Sequence, residues 1–312
     1  MGEKGYKAFK PGLICKDKQY QENTTFEEEW AEDICLPGMM HYCNNPFDCL
    51  NYYPLVNEDG KFSDFAEVKA LGNIVRGDDK SATNKLHIGA KLGLKGFIKA
   101  AIDFTIEKTT FETSRTLEDI SSNDEDSAQI GSSGYSAQIG SSGNSAQIGS
   151  SGDSAQIGSS GNYAKIGSSG NSAQIGSSGY SAKIGSSGYS AKIGSSGNSA
   201  QIGSSGYSAQ IGSSGNYAQI GSSGNSAQIG SSGDSAKIDS TGKNSVIMAA
   251  GFKSIVKATI GSWITLAEYG RDKNGVLVPV CVKTEYVDGE RIKENVFYTL
   301  RNKQFVEVKE AE

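Results

Sequence analysis

The sequence predicts a mainly β protein: a nonapeptide-repeat β-solenoid with two repeats per coil, flanked by an N-terminal α+β domain and a small C-terminal β cap. Three observations carry this. Isoleucine recurs every nine residues from Ile130 through Ile139, Ile148 and onward to Ile238. Glycine is concentrated between Ser127 and Gly242, although the chain holds only 5 Pro. The charge is unevenly spread, with 15 basic against 23 acidic residues up to Asp126, 4 against 2 from there to Ile238, and 11 against 10 beyond. The boundaries that follow are residues 1–120 for the head, 121–265 for the solenoid with its hydrophobic terminal coils, and 266–312 for the cap.

Each repeat reads close to Ser-Ala-Gln-Ile-Gly-Ser-Ser-Gly-Asn, with Gln exchanging for Lys and the last position taken by Asn, Tyr or Asp. A flexible Gly/Ser linker has no reason to hold Ala and Ile two residues apart in unit after unit. A short strand does, because residues i and i+2 point to the same side. One such strand cannot bury its own Ile, but stacked coils bury a continuous file of them. The Gly-Ser-Ser-Gly between strands is expected to supply the positive φ values of tight corners. With two repeats per coil and a rung spacing of roughly 4.8 Å, the array is about 31 Å long; three per coil would give a triangular prism of roughly 21 Å. Two per coil places Gln129, Gln147, Lys165, Lys183, Gln201, Gln219 and Lys237 on one face. Gln138, Gln156, Gln174, Lys192, Gln210 and Gln228 then form the other.

The repeat is not a calcium β-roll. Aligning Gly131 and Gly134 with the glycines of that pattern puts Ser136 where a carboxylate is needed, so no hard-cation cage is formed. It also lacks the basic surface of a nucleic-acid track and the Lys-Ser and helix that would turn its glycines into a phosphate loop. No cofactor is implied.

Beyond Ile238 the nine-residue spacing continues to Ile247 and Val256 while Val246, Met248, Phe252, Ile260, Trp263 and Leu266 add bulk, as if the last coils widened into a hydrophobic plug. Alternating stretches at 276–282, 284–287, 296–300 and 305–308, around Asp272-Lys273-Asn274-Gly275 and Asp288-Gly289, predict the β cap. In the head, residues 5–9, 13–20 and 65–75 read as strands. Residues 92–108 have the 3.6 period of a helix, with Lys95, Lys99, Asp103 and Glu107 along a solvated face. The acidic run Glu27, Glu28, Glu29, Glu32 and Asp33 around Trp30 reads as an exposed helical turn or a binding patch.

Chemistry is sparse. Cys35, His41, Cys43 and Cys49 are candidate zinc ligands, but the short knuckle spacing of structural sites is missing. His41 and Cys43 would share a strand face, the arrangement a nucleophilic pair needs, and a buried histidine beside apolar cysteines is the simpler reading. No apolar run approaches the roughly 20 residues of a membrane span. The start carries no export signal and the cysteine count is odd, so a cytoplasmic location with reduced thiols is expected.

Three stretches carry a resemblance: Lys4-Gly5-Tyr6-Lys7-Ala8-Phe9, the run from Gly38 to Pro46 with Tyr52-Tyr53 after it, and Phe65-Ala66-Glu67-Val68. They resemble an uncharacterised N-terminal domain of phage and prophage proteins that precedes short Ser/Gly/Ala repeats and a β tail. That resemblance implies a bacterial host cell as the setting and a host protein, such as a defence component, as the partner. The run from Gly38 to Cys43 with Tyr52-Tyr53 is also similar to the glycine-aromatic-tyrosine signature of ADP-ribosyltransferase-like domains, which would make Tyr6, His41, Tyr52 and Glu67 dinucleotide-handling residues with Glu67 as the acid. The leading expectation is a non-enzymatic binding protein whose solenoid presents Tyr135, Tyr163, Tyr180, Tyr189, Tyr207 and Tyr217 to another macromolecule. Aromatic side chains supply contact area at low entropic cost. A homo-oligomeric virion fibre segment and the transferase-like enzyme are the alternatives.

Overall fold

A computed structural model describes residues 2–34, 36–57, 61–109 and 120–308. It divides into two compact units, 1–104 and 105–312.

The first unit is a small α+β fold. Its main sheet has the order β1 (Glu3–Phe9), β6 (Asp64–Ala70), β9 (Lys85–Leu92), β4 (Thr24–Glu27), with every neighbouring pair antiparallel. A second sheet joins β5 (Met40–Tyr42), β8 (Ser81–Thr83) and β7 (Ile74–Arg76). The alternation of β1 decides its two sides: Phe9 packs with Tyr20, Tyr42, Val68, Leu86 and Ile88, while Ala8 packs with Phe47, Leu50, Phe65 and Phe97. Phe97 belongs to α1 (Leu94–Thr109), the predicted helix, and stacks on Phe65 with ring centroids 3.9 Å apart.

Two predicted strands of the head break up. Residues 13–20 fold into a tight hairpin, β2 (Ile14–Cys15) with β3 (Lys18–Gln19), because Lys16 at φ +53° reverses the chain. Residues 65–75 divide between the two sheets at Leu71-Gly72, where a side chain on Gly72 would meet the Asn84 amide oxygen at 2.2 Å. The acidic run forms no helix after β4; Glu28 donates its backbone N–H to the Asn84 carbonyl at 2.8 Å.

The second unit is the β-solenoid, of about eight turns. Strands alternate between two sheets: β10 (Ile120–Asn123), β12 (Gln138–Ser141) and their successors form one, and β11 (Gln129–Ser132), β13 (Gln147–Ser150) and theirs the other. Each strand pairs in parallel with the one eighteen residues on, so Gln156 lies beside Gln174 and Ile157 beside Ile175. Two repeats therefore make one coil, and both predicted ladders are in register. Ile and Ala fill the interior together with the first Ser of each Gly-Ser-Ser-Gly, as at Ile184, Ala182 and Ser186.

The corners differ from expectation in an instructive way. The left-handed residue is the Ser or Tyr before the Ala in every repeat but that of Ser136, as at Ser154, Tyr163 and Ser172, and not a glycine. Its N–H donates to the corner carbonyl of the next coil, as Ser154 does to Asn171 at 2.8 Å. The second glycine of each Gly-Ser-Ser-Gly serves close packing instead: a Cβ on Gly152 would lie 1.8 Å from the Gly134 carbonyl oxygen one coil below. Corner Asn and Asp side chains complete the ladder, accepting the backbone N–H eighteen residues on, as Asn198 does from Asn216 at 2.8 Å.

The nine-residue spacing continues through β24 (Val246–Ala249) and β25 (Ile255–Ala258) into β26 (Trp263–Arg271). Of the bulky residues there, Ile247, Val256, Ile264 and Leu266 turn inward, but Val246, Met248, Ile260 and Trp263 are exposed, because strand alternation carries on unchanged. The plug comes from the cap. β27 (Leu277–Tyr286) adds antiparallel to β26, and β28 (Phe297–Arg301) to β25 with β29 (Gln304–Glu307) outside it. Val287, Ile292, Tyr298 and Leu300 are buried in the same hydrophobic cluster as the last coils. Antiparallel strands thus end both parallel sheets, which limits templated stacking at that end.

Candidate functional site

Two concave places stand out among the described residues. The first is a cavity of about 380 Å³ in the head, lined by residues that include Tyr6, Lys7, Cys15, His41, Tyr52 and Lys80. β1 supplies Tyr6 and Lys7, and the β2–β3 turn supplies Lys16 next to Cys15. Cys43 follows β5 and exchanges two backbone hydrogen bonds of 2.7 Å with Tyr6, which fixes this wall. Cys49 comes from a 3₁₀ helix, Pro46–Asn51, started by Asn45, whose side chain accepts the Phe47 N–H at 3.0 Å.

The side chains around this cavity perturb one another. Lys7 is buried and its Nζ donates to the His41 carbonyl at 2.7 Å; burial pulls its pKa below the usual lysine range. Burial also lowers His41, and Lys7, Lys80 and Lys16 lower it further against the opposing hydrogen bond of its Nε2 to the Ile34 carbonyl at 2.5 Å. Tyr53 is pushed up to about 12, by burial first and then by its Oη bonding to Cys15 Sγ at 3.3 Å. The Cys49 thiol is pushed well up by burial and by Cys43. Partial burial works against ionised Asp79, but hydrogen bonds from Tyr52 and Asn51 hold its carboxyl below the ordinary range. Lys80 places its ammonium 4.7 Å from the centre of the Tyr52 ring.

Of the dinucleotide-handling residues suggested by resemblance, the fold gathers Tyr6, His41 and Tyr52 into this cavity. Glu67 is the strand neighbour of Tyr6 and lines a smaller one, of about 190 Å³, with Tyr6, Lys69 and His87. Of the zinc candidates, His41, Cys43 and Cys49 share the cavity and Cys35 lies outside the described residues. Among the described residues no group of three or more His, Cys, Asp and Glu is placed to hold a metal ion. Sequence reasoning misses Lys7, whose only signal is weak: alternation along β1 puts it on the same side as buried Phe9.

The second place is the outer face of the sheet that contains β12. It is an open trough of about 1220 Å³ along the Gln138 to Gln228 ladder, floored by Gly140, Gly158, Gly176, Gly194, Gly212 and Gly230. The floor continues sideways onto Ser178, Ser196, Ser214 and Ser232, and lengthwise to Val246 and Met248. These floor glycines are not demanded by the fold. A Cβ on Gly158 or Gly212 would meet no atom within 4 Å, and on Gly176 or Gly194 only a carbonyl oxygen at 4.0 Å.

The six tyrosines do not form one ladder. Two repeats per coil send Tyr135, Tyr189 and Tyr207 to the corner leading into the trough, and Tyr163, Tyr180 and Tyr217 to the opposite corner. All six are exposed. Tyr189 and Tyr207 stack with centroids 5.2 Å apart, and Tyr163 meets Tyr180 edge-on at 6.0 Å.

Comparison with known proteins bears on the head alone. Residues 3–100 match the family model of a domain of unknown function (DUF7666). No curated protein and no solved structure matches the chain. The matched stretch contains every described residue that lines the head cavity. Among the described residues no helix is long and apolar enough to cross a membrane.

Proposed function

We propose that this chain is a non-enzymatic binding protein of phage or prophage type, whose solenoid offers its open trough to another protein of the bacterial host. The observation behind this reading is the glycine floor. Glycine inside a strand costs roughly 0.5–1 kcal/mol relative to alanine. It is retained at Gly158, Gly176, Gly194 and Gly212, where the fold leaves room for a side chain. A strand glycine without an internal reason marks a surface that another backbone approaches closely. The trough is also preformed by ladders of hydrogen bonds, so docking on it orders little, and Tyr135, Tyr189 and Tyr207 stand on its rim. Inhibition of a host defence component is the role such a partner would give it.

A tagged pull-down from bacterial lysate tests the reading. The wild-type chain is expected to retain one host protein at near-stoichiometric level. Gly176→Gln with Gly194→Gln should abolish capture, Tyr189→Ser with Tyr207→Ser should weaken it, and Tyr163→Ser with Tyr217→Ser should leave it unchanged. An empty wild-type lane, or full capture by the glycine variant, contradicts the proposal.

The transferase-like alternative draws on the meeting of Tyr6, His41 and Tyr52 in one cavity. Its acid, Glu67, lines the neighbouring cavity instead. Loss of cellular activity in Glu67→Gln, with capture intact, would favour it.

A further inference from the structure

The head cavity holds an unusual amine. Lys7 Nζ lies among Cys15, Cys43 and Cys49, bonded to the His41 carbonyl and 5.4 Å from the centre of the Tyr20 ring. Lys16 and Lys80 line the same space, and both act electrostatically on His41, as Lys7 does. No carboxylate is among the described residues lining it. About 380 Å³ with aromatic walls and a few convergent polar groups is the size and make-up of a small-molecule site.

We propose that this cavity takes a small anionic carbonyl compound, held by Lys16 and Lys80 and linked reversibly to Lys7 as an imine. The Lys7 nitrogen lone pair adds to the carbonyl carbon, the C=O π bond breaks, and the oxygen takes one of the two protons that the nitrogen gives up, which yields a carbinolamine. The second nitrogen proton departs with the hydroxyl in the next step. Loss of that hydroxyl as water then forms the C=N bond, with no change of oxidation state and no further reactant. Desolvation favours this, because only the unprotonated amine is nucleophilic and burial away from water is what keeps a lysine unprotonated near neutrality. Burial moves Lys7 in that direction, lowering its pKa against the opposing pull of Cys15, Cys49 and Cys43. The anionic charge of the ligand follows from the two remaining ammonium groups on the lining, Lys16 and Lys80, with the nearest carboxylate, Asp79, set behind Tyr52 and acting on Lys80. Neither the trough nor the transferase-like chemistry is needed for this linkage.

The test uses the full chain with glyoxylate as the anionic probe, acetaldehyde as its neutral counterpart, and cyanoborohydride to reduce any imine to a stable secondary amine. Peptide mapping at pH 7 then gives a labelling rate for every lysine. Glyoxylate is expected to label Lys7 at least about ten-fold faster than any exposed lysine, because burial leaves more of its amine unprotonated. Acetaldehyde should label Lys7 more slowly than glyoxylate, and Lys80→Met should narrow that difference. A Lys7 rate no higher than that of the surface lysines overturns the proposal, as does equal labelling by the two probes. Both readings come from the wild-type chain, so neither depends on a variant folding.

Discussion

A Cβ placed on Gly188 would lie 1.9 Å from the carbonyl oxygen of Gly170, the equivalent residue one coil earlier. Six residues further on, a Cβ on Gly194 meets nothing closer than 4.0 Å. Glycines of successive repeats therefore serve different purposes, and they separate experimentally. Gly188→Ala forces two backbones apart and should cost more than about 3 kcal/mol, as do other severe steric insertions. Gly194→Ala should stabilise by roughly 0.5–1 kcal/mol, the ordinary gain from removing a strand glycine. Thermal unfolding followed by circular dichroism checks both signs.

The corner ladder predicts a stabilising substitution at Tyr135. Where Asp153 stands at the corner, its side chain accepts the Asn171 N–H at 2.7 Å. Tyr135 occupies the equivalent position one coil earlier and carries no such acceptor toward the Asp153 N–H. Tyr135→Asn restores it and should raise stability by about 0.5–1 kcal/mol, the net worth of one hydrogen bond. An unchanged or lowered thermal midpoint would count against the ladder as a stabilising device.

The repeat's strand glycine is replaced by Asp239 in the last regular unit, where its carboxylate is fully buried and sits 2.5 Å from Lys257 Nζ. Burial outweighs the attraction of Lys257 and pushes Asp239 up to about 6. Between its unfolded value of 3.8 and about 6 the folded chain holds a proton that the unfolded chain does not, so its contribution to stability falls as pH rises through that window. Asp239→Asn has no such titration. The wild type should gain on the variant by on the order of 2 kcal/mol between pH 7 and pH 4. A constant difference across that range would show that the pair does not titrate as its burial implies.

Lys7 gives the opposite slope. Its folded pKa lies below 10.5, so between the lowered value and 10.5 the unfolded chain binds the extra proton and stability rises with pH. Lys7→Met fills similar volume without a charge. It should raise the melting temperature of the head at pH 7 and flatten its pH dependence up to pH 9.5, both read by calorimetry. A steeper dependence in the variant would contradict the assignment of Lys7 as a desolvated amine.

Much of the solenoid is readable from the repeat, because a short period leaves few solutions. Ile and Ala two residues apart demand a strand, and the pairing of Gln156 with Gln174 is the consequence of two units per coil. What the repeat does not show is which atom takes each strain. Ser154 adopts the left-handed turn expected of glycine, while Gly152 answers a contact with another coil, and that contact exists only after stacking. The tyrosines are similarly grouped by composition and then separated by the coil, since alternate units fall on opposite corners. In the head, the helix and β1 are legible from periodicity. The hairpin at Lys16 and the break at Gly72 are not: the first turns on a non-glycine residue at positive φ, and the second depends on a non-local neighbour, Asn84. The cavity is half visible: resemblance points to Tyr6, His41 and Tyr52, whereas a lysine in a polar-looking strand gives little sign of being buried.

The trough as the binding face is the central claim, and photo-crosslinking tests it most directly. A benzoylphenylalanine introduced at Gln174 lies in the trough, and one at Tyr217 lies on the far corner. With the captured host protein present and light applied, a covalent adduct is expected from position 174 and none from position 217. Adduct formation from position 217 alone would place the partner on the other edge and leave the glycine floor without a role in binding.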